Sequence, residues 1–247
     1  MLRRLLRPRR PVNGRRGWAA ITPGRFYYGG HIGAAAMHAH YAVQLLIGDG
    51  LILRGGDGTA HELTAALIPA NTRHAIVRGT DAGLLALIDP AQAGDLAHPP
   101  GTGSAAAWAI DLSPPPRHDL PTLIALADEI TGTVPAAHLH PGLAQAMRLI
   151  DETLPGQVRL SALADAVHLS ESRLAHLFRE QAGLPFRPYV LWMRLRLALY
   201  ALADGGTLTD AAHTAGFSDS AHLSRTIRRM MGDAPSVLSA GVRWLRG

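Results

Sequence analysis

The chain has 247 residues, 47% of them hydrophobic, enough to fill one large core or two small ones. With no cysteine it can form neither a disulfide nor a thiolate-bound zinc site, and thiol catalysis is excluded. All 24 basic residues are arginine and the formal net charge is +5; no apolar run approaches the ~18 residues of a membrane span, so a soluble chain is expected.

The first 17 residues hold Arg3, Arg4, Arg7, Arg9, Arg10, Arg15 and Arg16 with no acid among them. The segment lacks the apolar stretch of a secretory signal. It reads as a solvated disordered arm, as residues ahead of the true translation start, or as a source of sequence-independent attraction to DNA phosphates. From Trp18 to about Trp108, runs such as RFYYGGHIG, YAVQLLIG, GLILR, HELTAALIP, HAIVR and GLLALID are separated by GDG, GGDG and PAN. Short apolar runs between glycine-rich turns predict the strands of a sandwich or barrel. The proline-rich LSPPPRHDLP closes this region. Beyond it, Leu123, Ile124, Ala127 and Ile130 form the stripe of an amphipathic helix over 120–130. That stripe either pairs two protomers or packs back on its own β domain. Leu143, Ala146, Met147, Ile150 and Leu154 predict the next helix, over 142–154.

The last third is built twice. In residues 160 to 185, Leu163, Ala164 and Val167 precede a turn at Leu169-Ser170, followed by Leu174, Leu177, Phe178 and Gly183. From Thr207 to Pro235 the plan recurs, with Thr207 and Asp210 as a capping pair, Leu208, Ala211, Ala212 and Ala215 at helical spacing, and Gly216 as the stop. Ser218 is placed to cap a second helix that buries Leu223, Ile227 and Met230 and ends at Gly232. Leu174, Phe178 and Gly183 match Leu223, Ile227 and Gly232 at one constant offset, a repeat of two helix-turn-helix units. Pro185 to Ala203 reads as one helix joining them.

Residues 142 to 240 resemble the DNA-binding domain of AraC/XylS-type transcriptional regulators, and the stretch AHTAGFSDSAHLSRTIRRMMGDAPS, Ala212 to Ser236, is similar to that family's signature almost position for position. It departs at Ile227 and Met230, where the family usually carries an aromatic and a second bulky residue. The spacing of Gly33, His38, His40, Gln44 and Gly48, followed by Pro69, Asn71 and His74, resembles the two motifs of the cupin fold, a small jelly roll. The resemblances imply a chain of α and β structure in two domains. An N-terminal cupin-like β-barrel (jelly roll) sensor over 18–110 follows the 1–17 tail, then a linker with a dimerisation helix over 111–141. An all-α double helix-turn-helix domain completes the chain over 142–247. They also imply a cytoplasmic homodimer that binds double-stranded promoter DNA and a small-molecule effector, and that would meet RNA polymerase.

With Leu174, Leu177 and Phe178 turned inward, the first reading helix presents Ser172, Ala175, His176 and Arg179; by the repeat offset the second presents Ala221, Ser224, Arg225 and Arg228. An α-helix fits the major groove, where a guanidinium can pair with guanine O6 and N7. Arg225 is therefore the leading base reader, with Arg228 and Arg229 on phosphate or on a solvated face. The resemblance implies that Arg194 or Arg196, on the connecting helix, braces the domain internally. His38 and His40 at i and i+2 would share a strand face, and His74 from a neighbouring strand could complete a facial metal site. Metal-dependent cupins supply a Glu where this chain has Gln44, so no cofactor is expected and a polar effector pocket of His38, His40, Gln44 and His74 stands beside a divalent metal or satisfied core histidines. The rival function is a metal-dependent cupin enzyme, a dioxygenase or isomerase, fused to a DNA-binding domain.

Overall fold

The computed structural model describes residues 17–93, 103–112, 115, 117–131, 139–232 and 242–245; the arginine-rich segment and Pro235 lie outside them. Seven strands form in the first part: β1 (Gly17–Thr22), β2 (Arg25–Ile32), β3 (Ala35–His38), β4 (Val43–Gly55), β5 (Ala60–Ile68), β6 (His74–Arg78) and β7 (Thr80–Ile88). YAVQLLIG and GLILR, expected as separate strands, are one strand. Gly50 takes φ 66°, a left-handed value, and the register shifts between Ile47 and Leu51, so the GDG segment bulges without turning.

The long β4–β5 hairpin spans two halves of the sheet. The first half of β4 pairs with β7 and the second with β6, all antiparallel. Leu45, Ile47, Leu84 and Ile88 pack in one core cluster, and Leu46, Leu51, Leu53 and Ile68 in another. Helix α1 (Leu120–Thr131) buries Leu123 and Ala127 completely in the first of these clusters, and Arg25 on β2 pairs with Asp128 on its flank. The inner side of the proposed dimerisation helix therefore packs on its own β domain.

Six helices follow: α2 (Pro141–Thr153), α3 (Leu160–Ala166), α4 (Glu171–Glu180), α5 (Phe186–Ala203), α6 (Leu208–Thr214) and α7 (Ser220–Met231). The α3–α4 and α6–α7 pairs are the two helix-turn-helix units, and α5 joins them. Their shared core holds Leu143, Ile150, Leu174, Phe178, Leu195 and Leu223, all without solvent exposure. Ile227 and Met230, where the sequence departs from the family pattern, sit in this core as well. Both side chains point into the core and away from the exposed face of α7.

One element is absent from the sequence-based reading. Residues Val242–Leu245, assigned by sequence to the DNA-binding half, form β8, which pairs parallel with β1, Gly17 opposite Val242 through Ala20 opposite Leu245. This strand therefore belongs to the β domain; no local pattern announces it, because the pairing partner is more than two hundred residues away. Among the described residues no helix is long and apolar enough to cross a membrane.

Candidate nucleic-acid interface and histidine cavity

The amphipathic spacing that buries Leu174, Leu177 and Phe178 turns the other face of α4 outward, and Ser172, His176 and Arg179 are exposed, with Ala175 half-buried. On α7, burial of Leu223, Ile227 and Met230 leaves Ala221, Arg225, Arg228 and Arg229 exposed and Ser224 half-buried. Each residue assigned to reading or phosphate contact from sequence therefore lies on the open side of its helix. Two are already engaged: His176 Nε2 lies 2.8 Å from Glu180 Oε1, and the Ser224 hydroxyl donates to the Ser220 carbonyl at 2.7 Å. Among the described residues the Arg225 guanidinium makes neither a hydrogen bond nor an ion pair, and its charge acts on the Asp219 carboxylate nearby.

The turns that set these helices are built differently. Ser170 caps α4, its side chain accepting from Arg173 N. The expected equivalent, Ser218, does not cap α7. Asp219 does, its carboxylate accepting from His222 N at 2.6 Å, which holds that carboxyl below its usual range. A charged acceptor suits a helix N-terminus better than a hydroxyl. The second turn carries one residue more than the first, which shifts the cap by one position. The Thr207–Asp210 capping box is present as expected, and Gly216 takes φ 71°. Arg194 braces the unit by donating to the carbonyls of Gly216 and, at 3.0 Å, Gly156.

Arg196 braces something else. It pairs at 2.8 Å with Asp89, at the end of β7, and the same carboxylate accepts from the Trp192 indole. Burial pushes the Asp89 carboxyl up, and the Arg196 charge opposes the rise. This triad, with Asp89 and Trp192 buried and Arg196 half-buried, ties α5 to the β domain, and Ala42 and Leu87 join the helical core beside it. Sequence reasoning missed Asp89 and Trp192, since neither sits in a periodic pattern or motif that could mark a tertiary contact.

The three histidines converge. His38 ends β3, His40 lies in the turn beyond rather than on the strand, and His74 opens β6 directly opposite His38. They are 8%, 2% and 0% exposed, and one ring nitrogen of each lies within 4.8 Å of the others. Each Nδ1 faces a backbone carbonyl: His38 and Ala36 at 2.7 Å, His40 and Ala42 at 2.9 Å, His74 and Thr72 at 2.9 Å. Burial lowers all three imidazole pKa values, that of His40 to about 4. His38, His40 and Gln44 line one wall of a cavity of ≈ 340 Å³ whose other walls include Phe26, Tyr28, Leu85 and Leu87. Met231, at the end of α7, and Val242, on β8, complete it, so the two halves of the chain share this cavity.

A helix-turn-helix domain model matches residues 163–240. The chain is 27% identical over 93 residues to the Msm operon regulatory protein of Streptococcus mutans, covering 37% of this chain and 34% of that protein. It is 31% identical over 93 residues to the transcriptional activator RhaS of Escherichia coli, again covering 37% and 34%. The matched segment thus spans about a third of each curated relative. ToxT of Vibrio cholerae O395 has a similar fold through 88% of this chain and 98% of its own, with a TM-score of 0.53 at 10% identity.

Proposed function

We propose, from the premise that residues 163–240 are a helix-turn-helix domain of the AraC/XylS type, that the chain is a sequence-specific DNA-binding transcriptional regulator. The observation that carries the reading is the pair of exposed faces on α4 and α7, joined through α5, one shared core and the Arg194 hydrogen bonds. The cavity beneath His38 and His40 is where a small-molecule effector would bind. A ligand there would contact Met231 and Val242 as well as the β domain, so binding could bias how the reading helices sit. The chain is assigned no catalytic step. The reading places it in the cytoplasm as a homodimer on promoter DNA in contact with RNA polymerase; sedimentation at rising concentration tests the pairing.

Selection of bound duplexes from a random pool by the full chain tests DNA reading directly. A recurring motif, bound at least about a thousandfold more tightly than scrambled sequence, is expected. Recovery of unenriched DNA would leave only electrostatic attraction to phosphate.

A further inference from the structure

The polar wall of the cavity beneath His38 and His40 is made of hydrogen-bond acceptors. A carbonyl can only accept a hydrogen bond, so the Nδ1 atoms facing Ala36, Ala42 and Thr72 carry the protons of their rings. Burial keeps those rings neutral, and each Nε2 is then a lone pair. The rings pack together, with centroids 4.2 Å apart for His38 and His74 and 5.1 Å for His40 and His74. His40 Nε2 is 2.8 Å from the Gln44 side-chain amide, which must offer its NH2 because the ring has no second proton to give. Among the described residues neither His38 Nε2 nor His74 Nε2 has a hydrogen-bond partner. Of those two rings His38 lines the cavity, so it brings an unused acceptor to the wall.

Nothing on the other walls offsets a charge. Phe26, Ile32, Ile76, Leu85 and Leu87 are apolar, and among the described residues no arginine, aspartate or glutamate lines the space. His31 is half exposed and faces Asp81 at 3.3 Å, and the Tyr28 hydroxyl donates to the His31 carbonyl at 2.8 Å. Met231 closes the cavity from the last turn of α7, where a helix presents the negative end of its dipole. An anionic head would meet lone pairs and a helix C-terminus, with no cation set against it. A cationic head would be buried without a counter-ion, a cost that neutral imidazoles do not recover.

Taking this cavity as the effector site, we infer that its ligand is an uncharged, largely apolar molecule whose polar head, an alcohol or phenol rather than an acid, donates a hydrogen bond to His38. A volume of ≈ 340 Å³ is at the lower end of the range for small-molecule sites and suits a body of about one or two rings. On its Nδ1 side the His38 ring abuts Gly232, the C-cap of α7, where a Cβ would stand 2.6 Å from Nδ1. The side chain that reads the head thus touches the end of the helix carrying Arg225.

The full-length chain, dialysed against a chelator, is titrated calorimetrically at pH 7 with butylphenyl, biphenyl and octyl bodies, each carrying a hydroxyl, methyl ether, carboxylate or ammonium head. The body that fits best should bind as the hydroxyl at least about tenfold more tightly than with any other head, since only the hydroxyl satisfies the His38 lone pair without a charge. His38→Leu should bring hydroxyl and ether within about twofold of each other, and retained ether binding shows that the variant is folded. On the wild-type chain the ¹⁵N resonance of His38 Nε2 should move with the hydroxyl and stay with the ether, a readout that needs no substitution. Tightest binding by a carboxylate or ammonium head, an unmoved His38 resonance at saturation, or a folded chain that binds no member of the series overturns the inference. Duplex selection from a random pool is run on the same preparation. Enriched DNA without a hydroxyl preference removes the ligand class and leaves the regulator; a hydroxyl preference with unenriched DNA removes the regulator and leaves the cavity chemistry.

Discussion

At the scale of single residues, function depends on which polar groups the fold leaves free. Arg225 is exposed, whereas Ser224 and His176 are partly committed to Ser220 and Glu180. Arg225→Ala should therefore weaken specific binding by about 1–3 kcal/mol and relax preference at one base position. Equal losses on specific and scrambled duplexes, measured by anisotropy, would show a phosphate contact instead. Asp89 is the opposite case, a residue without an exposed role. Asp89→Ala leaves the half-buried Arg196 and the buried Trp192 indole without their acceptor, so the chain should lose about 2 kcal/mol of stability. Denaturant unfolding measures this, and an unchanged midpoint would mean that the interface relaxes around the missing carboxylate. The outward faces of α4 and α7 were legible in the sequence because one helical period fixes both faces at once. Asp89 was not, because a tertiary salt bridge has no period.

Secondary elements show the same division. Among the described residues the helices of the C-terminal part stand where apolar spacing, or for α5 the absence of internal helix breakers, places them, and the capping box at Thr207 is as read. The errors came where one backbone dihedral or one inserted residue decides the outcome, at Gly50 within β4 and at Asp219 before α7. The cap has a pH consequence. The Asp219 carboxyl is held below its usual range by the His222 N–H, so it stabilises the folded chain fully above the unfolded-state value near pH 4. The contribution is lost as pH falls through the lower folded value. Asp219→Asn, a neutral cap, should thus lower Tm by a few degrees at pH 7 and by less at pH 3. Equal shifts at both values would mean that the charge plays no part in the cap. The histidine cluster was legible as a motif, but its hydrogen-bond pattern was not, since the carbonyls of Ala36, Ala42 and Thr72 acquire their positions only from the folded turns.

For the whole molecule, the spacing of α4 and α7, the proposed reading helices, sets the expected DNA footprint. Helix α5 has 18 residues, about 27 Å at ~1.5 Å per residue, and successive major grooves on one face of DNA lie about 34 Å apart. With the width of the flanking motifs, one protomer of the full chain should protect two short segments about one helical turn apart in hydroxyl-radical footprinting. A single protected segment, lost on substituting His176 and kept on substituting Arg225, would mean that only the first motif docks.

The pairing of β8 with β1 also bears on how the chain avoids sticking to itself. Among the described residues β8 is the outermost strand on that side of the sheet, four residues long with Arg243 exposed. Beneath it lies the six-residue β1, GWAAIT, without a charge. A short, charged rim is a poor template for a foreign strand, and a longer uncharged one is a good template. Strand β8 therefore acts as a selvedge on the sheet. Clipping it off to make a tidier protein would be expected to expose β1 and promote association through it.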